Sequence, residues 1–195
     1  MDFGCAAHCS FAEQCFGDDL PPELIKQKED LFKDRVAVEM KRYFGSDFKR
    51  IGHAAKVARY AEKLAPQEKG DPAVVLSAAY LHDIGIKNAE EKHNSSAARY
   101  QHEEGPPVAR DILERLNAKP EMIDEVCDIV GHHHNPRPDE TANFKIVCDA
   151  DLIVNLEDKK ASESLRRETI KKMIETRFLT KSGAELAEEM LLNGS

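Results

Sequence analysis

Ala78-Ala79-Tyr80-Leu81-His82-Asp83-Ile84-Gly85 is the stretch on which the fold turns. An ionised carboxylate set among so many apolar residues is costly in an interior unless a cation neutralises it. A metal ion meets that requirement, and the chain supplies in order the further donors such an ion needs. His53 lies upstream, and His102 and the run His132-His133-His134 lie downstream. Asp149 and Asp151 follow within Ile146-Val147-Cys148-Asp149-Ala150-Asp151-Leu152-Ile153-Val154.

Around this stretch the period is helical. From Pro21 onward apolar residues recur three and four apart, and strand-like alternation is missing, which predicts an all-α fold with a metal site between helices. Residues 21–44 read as a helix ended by Gly45, and Ser46 or Asp47 caps a second that runs to about Ala65. Asp71-Pro72 supplies a cap and a proline at the first helical position, opening a third helix that carries Tyr80 to Asp83 and stops at Gly85. Residues 86–100 read as polar and irregular, Pro106-Pro107 starts a helix reaching Leu116, and Pro120 starts one that ends in the histidines. A loop over 135–140 precedes a helix at 143–157, and two charged, peripheral helices at 162–176 and 181–192 close the chain.

The 195 residues, 41% hydrophobic and 33% charged, suffice for the core of one domain. On this reading residues 1–20 are a Cys-rich appendage, 21–160 a metal-binding helical domain and 161–195 peripheral helices of the same domain. The net charge of −8, with no cluster of five or more Lys/Arg, argues against duplex nucleic acid as a partner. An anionic small substrate is compatible with it, because bound divalent cations reverse the local field of an acidic protein. A charged leader before an apolar run is missing, as is any run long enough to span a bilayer, so a cytoplasmic protein without a membrane partner is expected. The charged closing helices leave a homodimer open.

Five cysteines is an odd count for a disulfide framework, and Cys127 and Cys148 read as small buried hydrophobes. Cys5, His8, Cys9 and Cys15 fall within eleven positions and are open to two readings, a separate Zn²⁺ or Fe–S site or a tail of free thiols.

Two His and two Asp from separate helices form a nitrogen and oxygen set suited to Mn²⁺, Fe, Co, Ni or Zn, and too nitrogen-rich for Ca²⁺. Each helical residue rotates by about 100°. Ile123, Val126, Cys127 and Val130 define one apolar face, which His133 and His134 continue, whereas His132 points away towards solvent or a supporting position. Asp149 and Asp151 lie on opposite shoulders of the stripe Ile146, Val147, Ala150, Ile153 and Val154. Geometry leaves the choice between them open, one coordinating and the other capping or hydrogen-bonding.

These residues resemble the HD-domain superfamily of metal-dependent phosphohydrolases, whose pattern is H…HD…D on an all-helical domain. His53 in Gly-His-Ala-Ala-Lys-Val-Ala-Arg-Tyr-Ala, His82-Asp83 in Leu-His-Asp-Ile-Gly and Asp151 in Ala-Asp-Leu carry the likeness, over roughly residues 46–158. The resemblance favours Asp151 over Asp149. His102 in Gln-His-Glu-Glu-Gly and the doublet His133-His134 resemble the extra histidines of two-metal members, including cyclic-dinucleotide phosphodiesterases of the HD-GYP kind. One or two ions are then implied: the first on His53, His82, Asp83 and Asp151, with Asp83 bridging to a second on His102 and His133 or His134. Ile86 stands where many relatives place lysine, Lys87 comes one residue late, and Gly-Tyr-Pro is missing after His134, so the cyclic-dinucleotide substrate does not carry over.

The implied reaction is hydrolysis of a phosphate mono- or diester in a nucleotide or related small phosphorylated metabolite. His82 and Asp83 stand at its centre, and Lys87 is a candidate point charge for a phosphate. Glu103 and Glu104 either orient a ligand, relay a proton or complement a helix dipole. The same ligand set also serves di-iron oxygenases of this superfamily, and a sensor that binds a nucleotide without turnover.

Overall fold

Two aspartates set the helices that carry the site. The Asp47 carboxylate accepts the Arg50 N–H at 3.1 Å, and the Asp71 carboxylate accepts the Ala73 N–H at 2.9 Å with Pro72 next in line. Each satisfies amide donors that the first helical turn leaves unpaired. In this computed structural model, which describes residues 22–162 and 166–193, the chain is all-α, with no strand among the described residues. The helices are α1 (Pro22–Phe44), α2 (Phe48–Glu68), α3 (Pro72–Leu81), α4 (Ile86–His93), α5 (Ala98–Arg115), α6 (Pro120–His132), α7 (Ala142–Ser162), α8 (Arg167–Arg177) and α9 (Lys181–Glu188). A π-helical turn, Glu189–Asn193, follows α9. Residues 1–20, with Cys5, His8, Cys9 and Cys15, lie outside the described residues. Among those described, no helix is long and apolar enough to cross a membrane.

α3 is the central element, packed against α1, α2, α6 and α7. Val74, Val75, Leu76, Ala78, Ala79 and Leu81 are all buried, as expected of a short helix that is apolar on every side. Because α3 ends inside the bundle, the turn that follows it, 82–85, delivers His82 and Asp83 to the interior rather than to the surface.

Residues 86–100 are mostly helical rather than irregular, with a break at 94–97. α4 occupies 86–93, and α5 begins at Ala98 and runs straight through Pro106-Pro107. Interior prolines ordinarily cost a helix about 3 kcal/mol. Here the buried stripe Gln101, Glu104, Gly105, Ala109, Ile112 and Leu113 continues in register across them, and packing against α6 outweighs the local penalty. α2 likewise passes Pro66 and ends at Glu68, capped by Lys69, whose left-handed backbone returns its N–H to the Ala65 carbonyl. α3 stops at Leu81, short of the expected end at Gly85, so that His82 and Asp83 lie in the turn after it, and α8 begins at Arg167 rather than at 162.

One close approach fixes α5 relative to the His82–Asp83 turn. A Cβ on Gly85 would lie 2.5 Å from the Gln101 carbonyl oxygen and 2.6 Å from the Gly105 nitrogen. Only hydrogen fits there, and the crossing sets α5, which carries His102, against the His82–Asp83 turn.

Candidate metal centre

His82 is almost wholly buried, and its Nδ1 lies 2.8 Å from the Ala79 carbonyl. With the Nδ1 proton donated to that carbonyl, Nε2 turns a lone pair inward, as imidazole ligands to metals do. It stands 3.3 Å from His53 Nε2, 3.4 Å from Asp83 Oδ2 and 3.5 Å from Asp151 Oδ1. His53, from α2, is 3.0 Å from Asp151 Oδ1 on α7 and 3.8 Å from Asp83 Oδ2. Donors held at about 2.1 Å from one metal lie roughly 3.0–3.4 Å from each other in tetrahedral or octahedral geometry. The measured separations, 3.0 to 3.8 Å, begin within that range and extend a little above it.

A second group adjoins the first. His133, just past the end of α6, directs Nδ1 to the Val130 carbonyl at 3.2 Å, while its buried Nε2 has no hydrogen-bond partner and lies 3.7 Å from Asp83 Oδ1. His102 on α5 and His134 stack, with His102 Nε2 3.2 Å from His134 Nδ1. The donor atoms of His102, His133 and His134 all lie within 4.8 Å of one another, as do those of His53, His82 and Asp83.

The carboxylates and imidazoles of the cluster hold one another in their charged forms. Burial opposes a proton on His82, but Asp83 and Asp151 outweigh it and raise the imidazole well above its ordinary pKa. Burial would raise the Asp83 carboxyl, yet His82 and His133 hold it well below the usual range. Asp151 is depressed against its own burial by His53 and His82. Burial, with the neighbouring His133, lowers His134 to about 4, so that imidazole offers a lone pair at neutral pH. A buried orphan nitrogen, two carboxylates and imidazoles with their lone pairs turned inward fit divalent transition-metal ions.

The remaining sequence candidates have other partners. Asp149 accepts the Leu179 and Thr180 N–H groups and the Thr180 hydroxyl, at 2.8, 2.8 and 2.6 Å, and so ties α7 to the segment leading into α9. Burial pushes its carboxyl up to about 6 against the pull of those donors. His132 turns away to Glu140, at 2.9 Å. Lys87 does not join the cluster: its ammonium donates to the Tyr43 carbonyl at 3.2 Å and sits over the Tyr43 ring. Glu104 pairs with Lys92 and His93 at 2.5 and 3.3 Å rather than with His102, and Glu103 is exposed. Burial raises the thiols of Cys127 and Cys148, in keeping with a packing role.

Two features escaped the sequence reading. Buried Glu140 accepts from His132, from the Arg137 main chain at 2.7 Å and from its guanidinium at 3.1 Å, and this closes the loop after α6. The Arg137-x-x-Glu140 spacing across Pro138 was the available signal. Over His53 and Asp83 opens a cleft of about 730 Å³, with Lys49, Arg50, Lys56 and Lys159 along its walls. The α2 cations, 49 and 56, stand two helical turns apart on one face.

Compared with known families, residues 50–156 match the HD domain. Ribonuclease Y of a Sulfurovum species is 25% identical over 130 residues, which make up 67% of this chain and 23% of that protein. Ribonuclease Y of Thermus thermophilus is 29% identical over 147 residues, covering 70% and 23%. The chain thus spans about a quarter of the length of these curated relatives. Among solved structures, a predicted HD superfamily hydrolase from an uncultured Thermotogales bacterium superposes with a TM-score of 0.58 at 22% identity, covering 79% of this chain and 82% of that one. Bacillus subtilis YpgQ gives 0.59 at 18% identity, covering 86% and 94%.

Proposed function

Because this chain belongs to the HD domain family, we propose that it is a metal-dependent phosphohydrolase acting on a phosphate mono- or diester of a nucleotide or related small phosphorylated metabolite. The observation that carries the reading is the placement of Asp83. One of its oxygens faces His82 and the other faces His133, so a single carboxylate joins both donor groups.

His53, His82, Asp83 and Asp151 would hold one ion, and His102, His133 and His134, with Asp83 shared, a second. The chemistry such ions supply when bound is a water acidic enough to attack at neutral pH and neutralisation of charge on the phosphoryl oxygens. The chain's own part is positional. The Ala79 and Val130 carbonyls lock the His82 and His133 rings by accepting their Nδ1 protons, so the geometry needs little reorganisation when substrate arrives. Arg50 is held at the cleft wall by Asp47 and Glu90, at 2.8 and 2.6 Å. Beside it stands exposed Lys49, and together they present positive charge to an anionic ester. Lys87 takes no part, since Tyr43 holds its ammonium. The name of the two curated relatives, ribonuclease Y, supports a ribonucleotide phosphodiester as one member of the substrate panel.

The test is phosphate release and product analysis over mono-, di-, tri- and cyclic nucleotides and short oligoribonucleotides, with elemental analysis of the same sample. Turnover of at least one ester that disappears on chelation and returns with Mn²⁺ or Co²⁺ is expected. A metal-loaded protein that cleaves none of them ends the reading.

A further inference from the structure

Phe48 begins α2 with 78% of its surface exposed, against the ordinary tendency of so large an apolar ring to leave water. Its neighbours Asp47 and Lys49 both line the 730 Å³ cleft above His53 and Asp83. One helical turn further on, Gly52 lines the same cleft. A glycine inside a helix costs about 1 kcal/mol relative to alanine. Packing does not require it here, because a Cβ at Gly52 would meet nothing within 4 Å.

Residues four apart share a helix face. The bare backbone at Gly52 therefore keeps an open shelf beside the Phe48 ring, where any longer side chain would stand. An exposed aromatic face next to side-chain-free backbone, with Lys49 and Arg50 immediately following, is the kind of surface on which a nucleobase stacks while cations meet its phosphate. Phe48 and His53 are separated by about 7.5 Å along the helix axis and about 140° around it, with Gly52 between them at about 40° from Phe48.

We propose that Phe48 and Gly52 form a base-stacking platform at the lip of the cleft, so that the ligand is a nucleotide or the end of a single-stranded ribonucleotide chain rather than a base-free phosphorylated metabolite. This rests on the phosphohydrolase reading for its chemistry but is tested by binding. The chain contains no tryptophan, so Phe48→Trp places a sole tryptophan on the platform, excited selectively over the four tyrosines.

Adenosine 5′-monophosphate should quench that fluorescence saturably, and ribose 5-phosphate at equal concentration should not. Gly52→Leu in the same background should raise the half-saturating concentration tenfold or more without lowering the unfolding midpoint. For protein without the reporter, calorimetry of wild type against Phe48→Ala should show roughly a tenfold loss of affinity for adenosine 5′-monophosphate, within the range that loss of one stacking ring brings. Non-saturating quenching, equal quenching by ribose 5-phosphate, or equal affinity of wild type and Phe48→Ala overturns the platform. Saturable quenching in a protein that cleaves no ester leaves the platform standing and removes the hydrolase reading alone.

Discussion

Asp83 divides its two oxygens between different histidines, Oδ2 lying 3.4 Å from His82 Nε2 and Oδ1 3.7 Å from His133 Nε2. It lies against one histidine of each donor group. Asp83→Ala should therefore remove metal from both groups at once, whereas His102→Ala should empty only the second. Elemental analysis per chain separates the two variants. Phosphoester turnover of Asp83→Ala should fall by more than about a hundredfold, beyond the loss that outer partners of a ligand bring. An Asp83→Ala protein that keeps full metal content contradicts the shared position.

Asp149 and Asp151 stand one residue apart and face different tasks. Asp149→Ala leaves two amides and a hydroxyl without their acceptor, each loss costing about 1–3 kcal/mol. The three losses sum to at least about 3 kcal/mol, so the unfolding midpoint should drop by at least roughly 6 °C. Metal content should stay at the wild-type level when measured below the transition. Asp151→Ala should do the reverse, losing metal while the apo-protein melts near the wild-type apo-protein. A matched pair of thermal melts and metal assays distinguishes these patterns.

Gly85 has no room for a methyl group, because the atoms it would strike are the backbone of Gln101 and Gly105 rather than flexible side chains. Gly85→Ala should cost about 1–3 kcal/mol of stability and push α5 outward, carrying His102 with it. The diagnostic result is a fall in metal content confined to one ion per chain, since His53, His82 and Asp151 come from other elements. A Gly85→Ala variant with wild-type stability would show that the crossing is looser than the structure has it.

The residues that gather at the centre were legible in the sequence because each sits where a periodic apolar stripe meets a polar donor. His82-Asp83 follows directly on the most apolar helix, and His133 prolongs the stripe of α6. The choice between Asp149 and Asp151 was not legible from rotation, since the donors that claim Asp149 come from Leu179 and Thr180, thirty residues on. α4 and the first half of α5 were invisible for a related reason. Ala89 is the one residue of α4 that is buried, so the helix carries almost no apolar period. α5 is helical through Pro106-Pro107 because of what packs on it, which local proline rules do not register. Lys87 sits in the right part of the sequence for a phosphate contact, but Tyr43, forty-four residues earlier, holds its ammonium.

Glu140 supplies the pH-dependent element. Burial by itself would raise its carboxyl, but donation from Arg137 and His132 outweighs burial and holds it below the ordinary carboxylate range. A carboxylate whose pKa is lower in the folded than in the unfolded chain contributes stability that is complete above the unfolded value, about 4.3 for glutamate. That contribution is lost as pH falls through the lower folded value. Glu140→Gln removes the charge but keeps the shape and one acceptor oxygen. It should therefore melt below wild type at pH 7, by the equivalent of about 1–3 kcal/mol for a hydrogen bond to a charged group. The gap should narrow steadily below about pH 4 as the wild-type carboxylate takes up its proton. Melts of both proteins across pH 3–7, with chelator present so that metal loss does not enter, measure this directly. A gap of constant size over that interval would mean that Glu140 closes the loop through shape and packing, with its charge contributing nothing.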